Sequence, residues 1–219
     1  MAEEIPHVDA TRLLEEDHRD VEQLFQNWTN VKPEEGPAVK RSLVEEMIEE
    51  LSIHAAIEEQ VFYPAVREAL PAEHELVEHS LEEHQEAKEL LAELEKMEPG
   101  DLGYEEKVGK LIADVREHVE EEEGTMFPKL RDAIGPEALD RIGQALERAK
   151  KVAPTHPHPH APARPPANVV AGPAAALFDR ARDEATGRSG RSRALLIAVA
   201  SGVIALLVIR TIAKRRSLF

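Results

Sequence analysis

The sequence predicts an all-α fold, an antiparallel four-helix bundle followed by a Pro-rich linker and a C-terminal transmembrane helix. Two observations predict the bundle: apolar residues recur at helical spacing in four long segments, and short loops rich in Pro or Gly separate those segments. A third is that no stretch alternates between apolar and polar residues as a half-buried strand does. We therefore expect one helical domain over residues 9–150.

The spacing predicts four long helices and a shorter fifth one. The first runs over residues 9–31, the second over residues 38–69, the third from Pro71 until Pro99 and Gly100 stop it, the fourth from about residue 103, and the fifth over residues 136–150. Asp9 is a suitable N-cap for the first helix, because its carboxylate can accept hydrogen bonds from free backbone N–H groups. Gly124 and Pro128 predict a bend near the end of the fourth helix.

Residues 151–190 read as a linker rich in Pro, Ala and His, followed by a basic juxtamembrane segment. Its three closely spaced histidines, His156, His158 and His160, offer loose metal binding, but we expect them to be incidental in a stiff spacer. Residues 191–214 follow as the predicted membrane helix, because residues 194–209 carry no charge and a span needs about 20 residues. Basic residues flank it on both sides, so they do not set its orientation.

The charge is unevenly distributed along this chain of net charge −16. Residues 1–152 hold 40 Asp/Glu against 17 Lys/Arg, whereas residues 153–219 hold 3 against 10. The acidic part should repel nucleic acid, whose phosphates need Lys and Arg. No cysteine is present, which excludes disulfides and thiolate chemistry. The N-terminus lacks the pattern of a signal peptide, so we expect the bundle to lie in the cytoplasm, anchored by a single C-terminal pass.

An internal repeat relates the two halves of the predicted bundle. The segment HAAIEEQVFYPAVREAL at residues 54–70 aligns without gaps to HVEEEEGTMFPKLRDAI at residues 118–134. A second pair, EEDHRDVEQLF at residues 15–25 and LEEHQEAKELL at residues 81–91, places one histidine against another. The chain therefore reads as two related hairpins, each with a His on its first helix and a His-x-x-x-Glu motif on its second.

Six polar side chains of these hairpins are predicted to point into the core, namely His18, His54, Glu58, His84, His118 and Glu122. Positions i and i+4 share a helix face, so each His and Glu of a motif project together, in line with the apolar stripe. A buried carboxylate without a partner is costly, and a divalent cation removes that cost. The pattern predicts a paired-metal site, and the alternatives are a hydrogen-bonded polar layer or a remnant site without metal.

Four further side chains are interpreted differently. His74 and His79 should lie on the surface or behind the ligands, and His7 on a mobile terminus. Tyr63 follows the first His-x-x-x-Glu motif, where core packing is the expected role and contact with the metal ligands is the alternative.

The six residues and the phrases HAAIEEQVFYP, LEEHQEAKELLAEL and EHVEEEEGTMFPKLR resemble the hemerythrin-like, or HHE cation-binding, family over roughly residues 9–135. The resemblance implies a four-helix bundle with a non-haem di-iron centre, bridged by carboxylates and often by an oxygen species. It also implies that the four histidines are terminal ligands and that Glu58 and Glu122 are bridges. Manganese and zinc suit the same ligands.

The motif departs from that of the oxygen-carrying hemerythrins, which place two histidines four residues apart on the third helix. Here Ser80 and Lys88 stand four residues either side of His84, and Glu122 follows His118 by four residues where those proteins use Asp at five. The missing histidine argues against simple reversible oxygen carriage. Two octahedral metals offer about twelve positions, of which the six side chains and an oxygen bridge leave about two open.

The sequence therefore predicts a membrane-tethered non-haem di-iron protein that binds O2, NO or a related small oxidant. One alternative is a di-iron enzyme that turns over peroxide or NO, and another is an iron buffer without redox activity. Whether the chain is an enzyme, and its oligomeric state, stay open at this point.

Overall fold

The computed structural model describes residues 8–161 and, beyond them, residues 175, 176, 179 and 183. The chain divides into two compact units, Met1–Asp179 and Arg180–Phe219, and the bundle lies in the first. The described residues are helical with no strand, which confirms the predicted all-α class. None of their helices combines the length and the apolar character that a membrane span requires. The predicted membrane helix over residues 191–214 lies outside the described residues.

Over residues 8–161 the structure has seven α-helical segments. Helix α2 continues into α3 and α5 into α6, so the seven segments form five helical rods. Their bounds are α1 Ala10–Thr29, α2 Pro37–Ile57, α3 Tyr63–Ala69, α4 His74–Leu94, α5 Tyr104–Glu121, α6 Phe127–Ala133 and α7 Pro136–Lys150. Asp9 caps α1 as predicted, because its carboxylate accepts hydrogen bonds from the backbone N–H groups of Thr11 and Arg12. Helices α1 and α2 pack as one hairpin, and α4 and α5 as another.

A π-helical turn interrupts two of the long rods, and it begins at the glutamate of each His-x-x-x-Glu motif. Residues Glu58–Phe62 join α2 to α3, and residues Glu122–Met126 join α5 to α6. Pro64 and Pro128 follow at the start of the next α-helical segment. A proline ring clashes with the carbonyl four residues earlier and has no N–H to donate, so the wider turn accommodates it. The predicted bend at Pro128 is therefore a π turn, and the same feature recurs in the first half.

The bundle holds two apolar clusters, one on each side of a polar layer. The first, which we call the α7-side cluster, includes Leu14, Ile57, Phe62, Tyr63, Val66, Val77, Leu81, Met126, Phe127 and Leu146. The second, the loop-side cluster, includes Val21, Phe25, Met47, Leu51, Leu91, Leu94, Tyr104, Leu111 and Val115. On α1 the chain passes from Leu14 in one cluster to Val21 in the other, and His18 lies between them. The other three rods that carry a histidine of this layer also have one cluster on each side of it. The order is the same around His84, and it is reversed around His54 and His118, where the loop-side cluster comes first along the chain.

Helix α7 packs on α1, on α2 and on the first π turn. Its Leu139 and Leu146 are buried in the α7-side cluster, so this short fifth helix helps to close the bundle at that end. The residues after it also contact the bundle. His156 is buried, and its Nδ1 bonds to Glu95 at the end of α4. The backbone N–H groups of Thr155 and His156 donate to the buried carboxylate of Asp179. We expected an extended spacer with incidental histidines, and here His156 is instead buried.

We predict that Gly143→Ala destabilises the bundle. A Cβ at Gly143 of α7 would lie 1.8 Å from the carbonyl oxygen of Val8, a backbone atom that must move. Overpacking of this kind costs about 1–3 kcal/mol, and denaturant unfolding should show it. The matched control is Gly109→Ala, at an exposed position of α5 where a Cβ would meet nothing within 4 Å. That control should gain about 0.5 kcal/mol, and equal stability of the two variants would contradict the close approach.

Candidate metal centre

Six side chains from four rods meet in the polar layer between the two apolar clusters. Helices α1, α2, α4 and α5 each supply one histidine, and each π turn supplies one glutamate at its first position. They are His18, His54, His84, His118, Glu58 and Glu122, and none is more than 6% exposed. All six predicted residues are thus brought together.

The four imidazoles form two close pairs, one from each hairpin. The Nε2 atoms of His18 and His54 lie 3.2 Å apart, and so do those of His84 and His118. All four rings therefore aim their Nε2 atoms at the middle of the layer. The ligand-type atoms form two groups, each within 4.8 Å, and Glu58 belongs to both groups.

Each glutamate stands between the two histidine pairs. Glu58 Oε2 lies 3.1 Å from His54 Nε2 and 3.3 Å from His84 Nε2, which belong to different hairpins. Glu122 Oε2 in the same way lies 3.4 Å from His18 Nε2 and 3.6 Å from His118 Nε2. A carboxylate in this position can join two cations, one held by each pair of imidazoles.

The residues fit a pair of metal ions. Both carboxylate oxygens of Glu58 and the Oε2 atom of Glu122 are buried, and among the described residues no group outside the imidazoles meets them with hydrogen-bond geometry. With neutral imidazoles as their neighbours, these charged oxygens lose their hydration and gain little in return, at a cost of several kcal/mol. Coordination to a cation supplies the missing partner. Four imidazole nitrogens with two carboxylates form a donor set that suits iron, manganese or zinc.

Behind the histidines lies an outer set of carboxylates that face the Nδ1 atoms. Glu123 and Glu59 directly follow the two glutamates of the layer, Glu122 and Glu58, and reach across to the other hairpin. Glu123 Oε1 lies 2.8 Å from His18 Nδ1, and Glu59 Oε1 lies 3.2 Å from His84 Nδ1. A carboxylate at Nδ1 keeps the proton there and leaves the Nε2 lone pair for a metal.

A second pair of outer carboxylates precedes the first histidine of each hairpin. Glu83 Oε2 accepts a hydrogen bond from His118 Nδ1 at 2.8 Å. Asp17 Oδ2 is the counterpart in the first half, 3.9 Å from His54 Nδ1. The four outer carboxylates were not among the predicted site residues. Their signal in the sequence was adjacency, since they occupy matching places next to the ligands in both copies of the repeat.

Lysines neutralise two of the four outer carboxylates. Lys150 of α7 bonds to Asp17, and Lys88 of α4 bonds to Glu59. Lys88 stands four residues after His84 on the same face of α4. Its ammonium group contacts a carboxylate that orients His84, so it acts on the centre through that imidazole.

Tyr63 breaks the symmetry of the site. Its buried hydroxyl donates to Glu122 Oε1 at 2.9 Å and lies 3.1 Å from His84 Nε2. The matching residue in the other half is Phe127, whose ring stacks on His18 with centroids 5.9 Å apart. Burial raises the pKa of the Tyr63 phenol well above its usual range, and the Glu122 carboxylate raises it further, so the hydroxyl keeps its proton. Tyr63 belongs both to the α7-side cluster and to the site.

Protons take the place of cations in the metal-free chain. Burial lowers the pKa of His54, but the Glu58 carboxylate outweighs that effect and raises the pKa to about 10. Burial also opposes charge on His84, yet Glu58 and Glu59 raise its pKa to about 9. Burial alone would raise the pKa of Glu58, and the two imidazoles instead hold it well below its usual range. The layer is therefore an ion-paired cluster that binds protons when no metal is bound.

A cavity of about 450 Å³ adjoins the imidazoles on the loop-side face of the polar layer. All four ligand histidines line it, and its remaining wall combines charged side chains with apolar ones, among them Val21, Phe25, Leu51, Ala87, Leu91 and Val115. A small uncharged molecule therefore has an apolar space beside the Nε2 atoms.

The other histidines of the described residues are not among the six side chains of the layer. His74 is exposed, and His79 is partly exposed beside Glu83, as expected for surface residues or residues behind the ligands. His7 lies outside the described residues. His158 contacts Asp179, with 3.0 Å between Nε2 and Oδ2.

Comparisons with known proteins agree with this geometry. The family model described as the hemerythrin HHE cation binding domain matches residues 9–130. An uncharacterized hemerythrin-like protein of Schizosaccharomyces pombe is 31% identical over 174 residues, covering 79% of this chain and 86% of its own. A DNA nickase of Nostoc is 28% identical over 134 residues, which cover 61% of this chain and 37% of the nickase.

A solved structure shows the same fold. The crystal structure of a hemerythrin HHE cation binding domain-containing protein from Mycobacterium kansasii superposes with a TM-score of 0.57 and 24% identity. The match covers 66% of this chain and 86% of that one. With the family model matching more than half of the sequence, this chain belongs to the hemerythrin HHE cation-binding family.

Proposed function

We propose that this chain is a non-haem di-iron protein that binds O2, NO or a related small oxidant. One observation carries the proposal: two buried glutamates each lie between imidazoles of both hairpins, and among the described residues no group outside those imidazoles meets the Glu58 oxygens or Glu122 Oε2 with hydrogen-bond geometry. His18 and His54 would hold one iron, His84 and His118 the other, with Glu58 and Glu122 between them. An iron pair supplies reversible electron transfer to a small oxidant, which no side chain of this layer can provide alone.

The residues around the layer support binding of a small neutral ligand. The outer carboxylates orient the imidazoles, and the α7-side cluster limits access of water from that side of the layer. Tyr63 keeps a proton on its hydroxyl oxygen within the layer, so it can donate a hydrogen bond at the site. The adjoining cavity of about 450 Å³ is large enough for a diatomic gas or peroxide.

Turnover of peroxide or NO is the second candidate, and the protonated hydroxyl of Tyr63 is the feature that favours it. In the iron-loaded chain, an absorption band that appears with oxygen and reverses on degassing supports binding. Catalysed loss of peroxide that slows in Tyr63→Phe, with iron content unchanged, supports turnover. Phe127 occupies the matching position in the repeat, so the fold should tolerate this replacement. Iron release without any spectral response to oxidants would favour the buffer and contradict both.

The membrane tether is proposed from the sequence alone. The uncharged stretch at residues 194–209 and the basic residues around it motivate the proposal. The shortened chain lacks residues 191–219 and keeps every described residue. The full chain should sediment with membranes and the shortened chain should not, and equal sedimentation of the two would contradict an anchor.

Replacing Glu58 with Ala should remove most of the bound metal. The carboxylate lies between both histidine pairs, so its loss affects both cations, and affinity should fall by at least about tenfold. Metal analysis of protein purified without a histidine tag measures this. The matched control is Glu46→Ala. Glu46 is a buried glutamate of α2 that lies outside both ligand groups. Full metal content in Glu58→Ala would contradict bridging.

Metal-free and metal-loaded chains should respond oppositely to rising pH. In the metal-free chain the folded pKa values of His54 and His84, about 10 and about 9, lie above the unfolded value of 6.5. Their stabilisation is therefore complete below pH 6.5 and is lost as the pH rises towards 9–10. In the loaded chain the cations occupy Nε2, so metal retention improves as protons stop competing. Denaturant unfolding of both forms at pH 6.5 and 9.5 tests this, and parallel losses of stability would contradict it.

A further inference from the structure

A second group of metal-ligand side chains lies outside the six residues of the centre. His79 and Glu83 are one turn apart on α4, and Glu121 ends α5. His79 Nε2 lies 3.5 Å from Glu83 Oε1 and 3.7 Å from Glu121 Oε2. The three ligand-type atoms fall within 4.8 Å of one another. The side chains are 57%, 21% and 32% exposed in that order, so this outer cluster is open to solvent.

The outer cluster is connected to the buried centre through Glu83. Its Oε1 atom faces His79, while its Oε2 atom accepts the hydrogen bond from His118 Nδ1. One carboxylate and one imidazole therefore separate the two sites. His79 and Glu83 also line the cavity that the four histidines of the layer line, so the outer cluster and the buried imidazoles face one open space.

Comparison of the two halves shows what the outer cluster lacks. Asp17 occupies the place of Glu83 in the first half, and the ammonium group of Lys150 holds its outer oxygen. Among the described residues, no lysine or arginine forms an ion pair with Glu83 or Glu121. In the repeat, Leu13 takes the position of His79. In the first half the ammonium group of Lys150 neutralises Asp17, whereas in the second half an imidazole and a further carboxylate lie beside Glu83.

We propose that His79, Glu83 and Glu121 form a loading site that captures a divalent transition metal and passes it to the buried centre. The inference rests on the proposed metal function of that centre. One imidazole with two carboxylates is a common donor set for zinc, manganese and ferrous iron. The exposed cluster accepts a hydrated ion from solvent, and the shared cavity leads it to imidazoles whose Nδ1 protons are already held by carboxylates.

The test consists of two measurements on the metal-free full chain. One is a titration with Zn²⁺, and the other follows the uptake of ferrous iron by stopped-flow mixing. The wild-type chain should bind two equivalents tightly and a third more weakly. His79→Ala and Glu121→Gln should lose the third, keep the two, and take up iron about tenfold more slowly, because a focused cation site raises the capture rate. His74→Ala and Glu120→Gln, exposed neighbours on the same helices, are matched controls and should behave as the wild type.

The outcomes separate this inference from the proposed function. A third equivalent that persists in both His79→Ala and Glu121→Gln, its absence from the wild type, or an unchanged uptake rate in those variants would overturn the loading site while leaving the centre intact. If neither the wild type nor any variant binds the two tight equivalents of Zn²⁺, and only a weak equivalent that depends on His79 is found, the metal function of the centre would be overturned instead.

Discussion

The polar layer across the middle of the bundle is the constraint on which the rest of the structure depends. Four imidazoles and two carboxylates are buried between two apolar clusters, where an unpaired charge costs several kcal/mol. Protons on His54 and His84 balance Glu58 in the metal-free chain, and cations would take their place. Binding of metal is therefore coupled to release of protons, and to the stability of the fold itself.

The repeat accounts for the composition of this layer, since each hairpin brings two histidines and one glutamate to the same depth in the bundle. The differences between the halves are then informative. Tyr63 stands opposite Phe127, so only one half places a hydroxyl among the ligands. Lys150 holds the outer oxygen of Asp17, whereas Glu83 faces His79. A doubled hairpin in this way offers a near-symmetric centre with distinct surroundings for each position.

The π turns after the two motifs show how local sequence serves the site. The first residue of each turn is the bridging glutamate, and a proline follows six residues later. The proline prevents a regular helix from continuing, and the wider turn leaves the glutamate at the layer while the chain proceeds into the α7-side cluster. Regular spacing predicted the shared face of His54 and Glu58, although not the turn that follows them.

The sequence by itself determined the helical class, the doubled hairpin and the six inward residues, because helical periodicity places i and i+4 on one face whatever the partner. Contacts between distant segments were decided only by the tertiary structure, because no local rule reports which helices face each other. Such contacts bring Glu59 to His84 and Lys150 to Asp17, place the Tyr63 hydroxyl at Glu122, and bury His156 against Glu95.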